Sequence, residues 1–116
     1  MKKLLLIFFL LYSGCQLNTE PEDETYQVKY EVSGTAKKVN ITMENEGGGT
    51  SQYSDVSVPW EYNFPGRKKS GTFVYVSAQS QNESGTVIAT IYKNNGTFKT
   101  STSSGAYVIA TASGSF

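Results

Sequence analysis

Past residue 25, apolar and polar positions alternate with period two, the signature of strands buried on one face. Tyr26, Val28, Tyr30 and Val32 alternate with Gln27, Lys29, Glu31 and Ser33. After a turn at Gly34-Thr35, Val39, Ile41 and Met43 alternate with Lys38, Asn40 and Thr42. The stretch 46–52, with three consecutive glycines, reads as a mobile loop. Val56, Val58, Trp60, Tyr62 and Phe64 then share one face of a single run. Pro59 within it lacks an N–H and predicts an edge strand or a bulge. Residues 65–69, PGRKK, read as a turn and polar loop.

Residues 72–79 make another strand, with Phe73 and Tyr75 opposite Val74, Val76 and Ala78; alternation alone leaves its inward face open. Val87, Ala89 and Ile91 lead into Lys93-Asn94-Asn95-Gly96, and the chain returns over 97–102. Asn-Gly is the dipeptide that supplies the positive φ values of a tight hairpin turn. Residues 106–112, AYVIATA, close the set. About seven short strands at this spacing, with no amphipathic helix and no internal repeat, predict an all-β, immunoglobulin-like β-sandwich over residues 26–116. A small closed barrel is the alternative.

The front of the chain follows a different pattern. Lys2-Lys3 precede an apolar stretch from Leu4 through Tyr12, and Ser13-Gly14 supply small residues before a cleavage point. The apolar stretch is shorter than the roughly 20 residues that span a bilayer. Residues 1–14 therefore read as a cleaved signal peptide and Cys15 as the lipidated first residue of a bacterial lipoprotein. The usual cue places Leu three positions before the Cys; here Tyr12 stands there and Leu11 is displaced by one. Cys15 is the single Cys of the chain, and lipidation accounts for an unpaired Cys in an exported protein. Two acyl chains suffice for stable anchoring.

Residues 15–25 then form the lipidated Cys and an acidic tether with Glu20, Glu22, Asp23 and Glu24. Gln16 differs from the Asp that retains enteric lipoproteins at the inner membrane. The expected location is the cell envelope, anchored at the outer membrane on its periplasmic or surface face.

Charge and composition narrow the function classes. Ten acids balance ten bases in the whole chain, and loss of Lys2 and Lys3 leaves eight bases against ten acids, a net charge of −2. A nucleic-acid binder shows a large basic excess instead. No histidine is present, which removes the commonest general base and the usual zinc ligand. Gly47–Gly49 lacks the Lys of a phosphate loop. Glu44, Glu46 and Asp55 border one loop, but their spacing matches no calcium motif. The expectation is a non-enzyme without cofactor or metal.

Two contact candidates remain. Trp60 and Tyr62 belong to the core if their face points inward, the default for same-face aromatics on a strand. Facing outward, they make a platform for a sugar ring or a partner protein. Arg67, Lys68 and Lys69 form a short basic cluster that suits a partner or anionic headgroups, though such clusters in turns are ordinarily solvated.

The order of motifs resembles the MmpS family of small envelope proteins. The matching pieces are YEVSG at 30–34, VNITMENEGG at 39–48, VPW at 58–60, SAQSQ at 77–81, ATIYKNNG at 89–96 and SGAYVIATASG at 104–114. The resemblance covers essentially all of the chain past Tyr30. It implies an Ig-like extracytoplasmic sandwich that accompanies RND-type lipid or small-molecule exporters, and no enzymatic activity. Typical members keep an uncleaved membrane helix, whereas this chain reads as cleaved and lipidated. Some carry a domain disulfide, where Ala89 and the region of Ala112 stand here. The alternative function is a surface glycan-binding or adhesion module.

Overall fold

The computed structural model describes residues 24–116. The signal peptide read over 1–14, the lipidated Cys15 and the tether as far as Asp23 lie outside the described residues. What is described is all β: ten strands joined by turns, every pairing antiparallel. They are β1 (Thr25–Tyr26), β2 (Val28–Gly34), β3 (Lys38–Glu44), β4 (Thr50–Ser57) and β5 (Trp60–Asn63). Then come β6 (Lys68–Lys69), β7 (Phe73–Ser80), β8 (Thr86–Lys93), β9 (Gly96–Ser104) and β10 (Ile109–Ser115).

Eight of these strands form two four-stranded sheets, β5-β2-β8-β9 and β10-β7-β3-β4, and β1 pairs with β6 in a small ribbon. The sheets stay separate, as in an immunoglobulin-like sandwich and unlike a closed barrel. Val28, Tyr30, Val32, Val87, Ala89 and Ile91 of one sheet meet Val39, Ile41, Met43, Val74, Val76 and Ala78 of the other, and all are buried. Burying such a face is what selects the register, because a slip by one residue would turn the whole set outward. Tyr30 is fully buried. Its hydroxyl crosses the interior, donating to the Glu44 carbonyl at 2.9 Å and accepting from the Tyr75 N–H at 3.2 Å. Burial pushes that hydroxyl's pKa up to about 12.

β4 begins at Thr50, inside the stretch 46–52 read as a loop, and β6 lies at Lys68–Lys69, inside the loop read over 65–69. Three further sequence expectations need correction. The run 56–64 is not one strand: Val56 ends in β4 of one sheet, and Trp60 begins β5 of the other. The crossover falls at the cis Val58–Pro59 peptide. Both sheets face one interior, so the alternation keeps its phase across the crossing and conceals it.

The hairpin turn is built from Asn94 and Asn95, with φ of 54° and 68°, while Gly96 already pairs with Lys93. Asn tolerates this conformation, and Asn94 is held there by Gln27, whose N–H donates to Asn94 Oδ1 and whose carbonyl accepts from Asn94 N–H. Finally, the last strand starts at Ile109 rather than 106 because 105–107 form a turn with Tyr107 at φ 52°.

Two bulges shape the outer strands. Between the Val39–Val56 and Ile41–Tyr53 pairs, β4 carries one residue more than β3, and Asp55 adopts φ 57°. Between Ile91–Lys99 and Tyr92–Thr97, β9 carries Phe98 as its extra residue.

Candidate functional site

The aromatic run closes one open seam of the sandwich. Trp60 lies opposite Val32 and Tyr62 opposite Tyr30, both of which face the core, so their rings point inward between the edge strands β4 and β5. Trp60 is half-buried and tilts against Tyr53 at 5.6 Å between ring centroids. Tyr62 packs edge-on to the buried Phe64 at 5.4 Å, and Phe64 in turn meets Tyr30 at 5.1 Å. The Tyr62 hydroxyl donates to a Glu46 carboxylate oxygen. That bond holds the Glu46 carboxyl below its ordinary pKa and raises the Tyr62 hydroxyl to about 12.

The basic cluster fastens the entry of the chain. Arg67 donates from Nε to Thr25 Oγ1 at 2.9 Å and from Nη2 to the Thr25 carbonyl at 2.8 Å. Lys68 donates to the Glu46 carbonyl, and its ammonium stands 5.6 Å from the Phe64 ring centroid. Lys69 pairs with Thr25 in the ribbon. Glu46 thus joins Tyr62 to Lys68, while Trp60 is placed apart with Tyr53.

Beside this cluster, Lys93 Nζ stands 4.6 Å from the Tyr26 ring, 5.5 Å from Phe98 and 5.8 Å from Phe116. The rings also touch one another, Phe98 to Phe116 at 4.8 Å and Tyr26 to Phe116 at 5.3 Å. This is the end of the sandwich at which the described chain begins.

The opposite end is built differently. Three crossover loops, 35–37, 81–85 and 105–108, are tied together through Asn82 and Thr86. Asn82 Oδ1 accepts from the N–H groups of Lys37 at 2.8 Å and Lys38 at 3.3 Å, and the Asn82 carbonyl accepts from Tyr107 N–H at 2.9 Å. The Thr86 carbonyl takes the N–H groups of Thr35 and Ala36, Thr86 N–H returns to Thr35 Oγ1, and Gly105 N–H reaches the Gly85 carbonyl at 3.0 Å.

Gly34 permits this closeness. Its φ is 120°, and a Cβ there would lie 2.2 Å from the Thr86 carbonyl oxygen. Above the tied backbone opens a depression of about 550 Å³ lined by Thr35, Lys37, Asn82, Glu83, Ser84 and Gly85. Sequence reasoning did not single out these residues. The run Gln81-Asn82-Glu83-Ser84-Gly85 signals a turn, but turn composition does not say which loops meet.

Among the described residues, no group of three or more His, Cys, Asp or Glu side chains is arranged to hold a metal ion. The distal depression offers an ammonium, a carboxylate, a carboxamide and hydroxyls, a set suited to holding a ligand by hydrogen bonds. No family model matches the chain, and no curated protein matches it, so the sandwich and its two unlike ends rest on the residues of this chain alone.

Proposed function

We propose that the chain is a lipid-anchored, non-catalytic binding module of the bacterial envelope, tethered through acyl groups on Cys15. The observation that carries the reading is the polarity of the domain. The tether joins beside Arg67 and Lys68, while the tied loops and their depression occupy the far end. The stretch from Cys15 to Thr25 reaches at most roughly 35 Å when extended, so a lipid on Cys15 would leave the far end turned away from the bilayer. The resemblance to the MmpS family supports an RND-type exporter of lipids or small molecules as the partner, with the outer membrane as the expected anchor.

The test is cross-linking in cells that express tagged full-length protein or its Cys15→Ala variant, followed by mass spectrometry of what co-purifies. An exporter or its accessory proteins captured with the parent and lost with Cys15→Ala would support the reading. Identical bulk envelope proteins in both samples would count against the transport role. Fractionation of the same cells reports the anchor separately, because Cys15→Ala should leave the membrane fraction. The second reading, a surface glycan-binding or adhesion module, is favoured by one feature, the polar depression at the far end.

A further inference from the structure

Beneath the far-end depression, several main-chain groups of the loops are paired across from one loop to the next. Asn82 Oδ1 accepts twice, and the carbonyls of Asn82, Gly85, Thr86 and Lys37 each take an N–H from a neighbouring loop. The side chains on its rim are not so engaged. Among the described residues, the Lys37 ammonium, the Glu83 carboxylate and the Ser84 hydroxyl have no hydrogen-bonding or ionic partner. Cross-tied loops beneath exposed polar side chains make a backbone scaffold that is already in place, which lowers the loop-ordering cost of association.

We propose that this depression binds a neutral, polyhydroxylated ligand, a sugar residue of an oligosaccharide, through Lys37, Asn82, Glu83 and Ser84. Three properties select that chemistry. A sugar hydroxyl both donates and accepts, so a carboxylate acceptor and an ammonium donor in one site can hold neighbouring hydroxyls together. One positive and one negative side chain give the lining no net charge, so Glu83 disfavours an anion and Lys37 a metal ion. The volume of about 550 Å³ also falls within the range of small-ligand sites.

Tyr107 adjoins the same loop through its backbone. Its N–H is held by the Asn82 carbonyl, the residue is 51 % exposed, and its backbone sits at φ 52°. A non-glycine residue held in that region costs free energy and persists where the surroundings impose it, commonly at ligand sites. In the proposal, the exposed Tyr107 side chain serves as the apolar surface on which the C–H face of a sugar rests. The inference rests on the binding-module reading only in taking the domain to be exported, where such glycans occur.

The experiment is saturation-transfer NMR on the full-length lipidated protein purified in detergent, with maltotetraose, cellotetraose, chitotetraose and mannotetraose as probes and an oligogalacturonate as the anionic control. At least one neutral probe should show transfer. Lys37→Gln and Glu83→Gln should each weaken it about tenfold without changing the melting temperature, since neither side chain holds the fold. Tyr107→Gly should weaken binding while relieving the backbone strain. No transfer to any neutral probe, transfer to the anionic control alone, or binding unaffected by the three variants would overturn the proposal. Loss of the membrane anchor in Cys15→Ala cells bears on the envelope reading and not on this site.

Discussion

At the end where the described chain begins, charged side chains add to main-chain bonds: Lys93 among three rings, Arg67 on Thr25 and Lys68 over Phe64, beside the bonds of Ser70 to Glu24 and Phe116 to Thr72. At the far end, backbone groups, the Asn82 carboxamide and the Thr35 hydroxyl do the holding, with Gly34 pressed against Thr86. Ring and ammonium contacts have broad minima and long flexible arms, so they tolerate small displacements. Backbone hydrogen bonds and a glycine without room for a Cβ do not. The ring and ammonium contacts of the near end can therefore give a little where its backbone bonds do not. The far end is stiff and suited to presenting a fixed arrangement of polar groups.

The largest effect should come from Gly34→Ala. The added methyl would meet the Thr86 carbonyl at 2.2 Å in a backbone conformation that Ala resists, and we expect a loss of roughly 3 kcal/mol or more in urea unfolding. Wild-type stability in that variant would mean the far end can yield, and the contrast would fail.

Next is Tyr30→Phe, which leaves the Glu44 carbonyl and the Tyr75 N–H without their buried partner and should cost about 2 kcal/mol. This substitution also has a pH signature. The Tyr30 hydroxyl ionises near the ordinary value of 10 in the unfolded chain but only at about 12 in the fold. Its contribution is therefore complete below pH 10 and is lost as pH rises toward 12. Stability measured across that window should fall less steeply in Tyr30→Phe.

The smallest effect is expected from Lys93→Met, which keeps the alkyl stem and removes the charge from the ring cluster. About 1 kcal/mol in a melting experiment fits a partly exposed cation–π contact. A loss as large as that of Gly34→Ala would show the near end to be as exacting as the far one.

Much of the fold was legible in the chain because a sandwich writes its interior as alternation. Tyr30, Val32, Val39, Ile41 and Met43 were expected on inward faces and are buried. The face of β7 was not legible, since both of its faces are apolar. Val74, Val76 and Ala78 turn inward, while Phe73 and Tyr75 stack outside at 6.4 Å between centroids. The residues first considered as contacts have partners within the domain: Trp60 and Tyr62 fill a seam, and Arg67 and Lys68 bind the start of the described chain. The far-end depression was invisible for a different reason. Lys37, Asn82, Glu83 and Tyr107 are ordinary loop residues, and only the order of strands in the sheets brings their loops to one end.

The bulges in β4 and β9 have a consequence for how copies of this protein treat one another. An unpaired edge invites a second chain to add as a further strand, the route to domain swapping and fibrils. Here β4 is broken by Asp55 and β9 by Phe98, β5 is only four residues long between Pro59 and Pro65, and Phe98 and Lys99 overlie β10 at Gly114. Of the four edge strands of the two larger sheets, β4 and β9 are interrupted by bulges and β5 is short. Strand addition between crowded copies is thus discouraged at these edges.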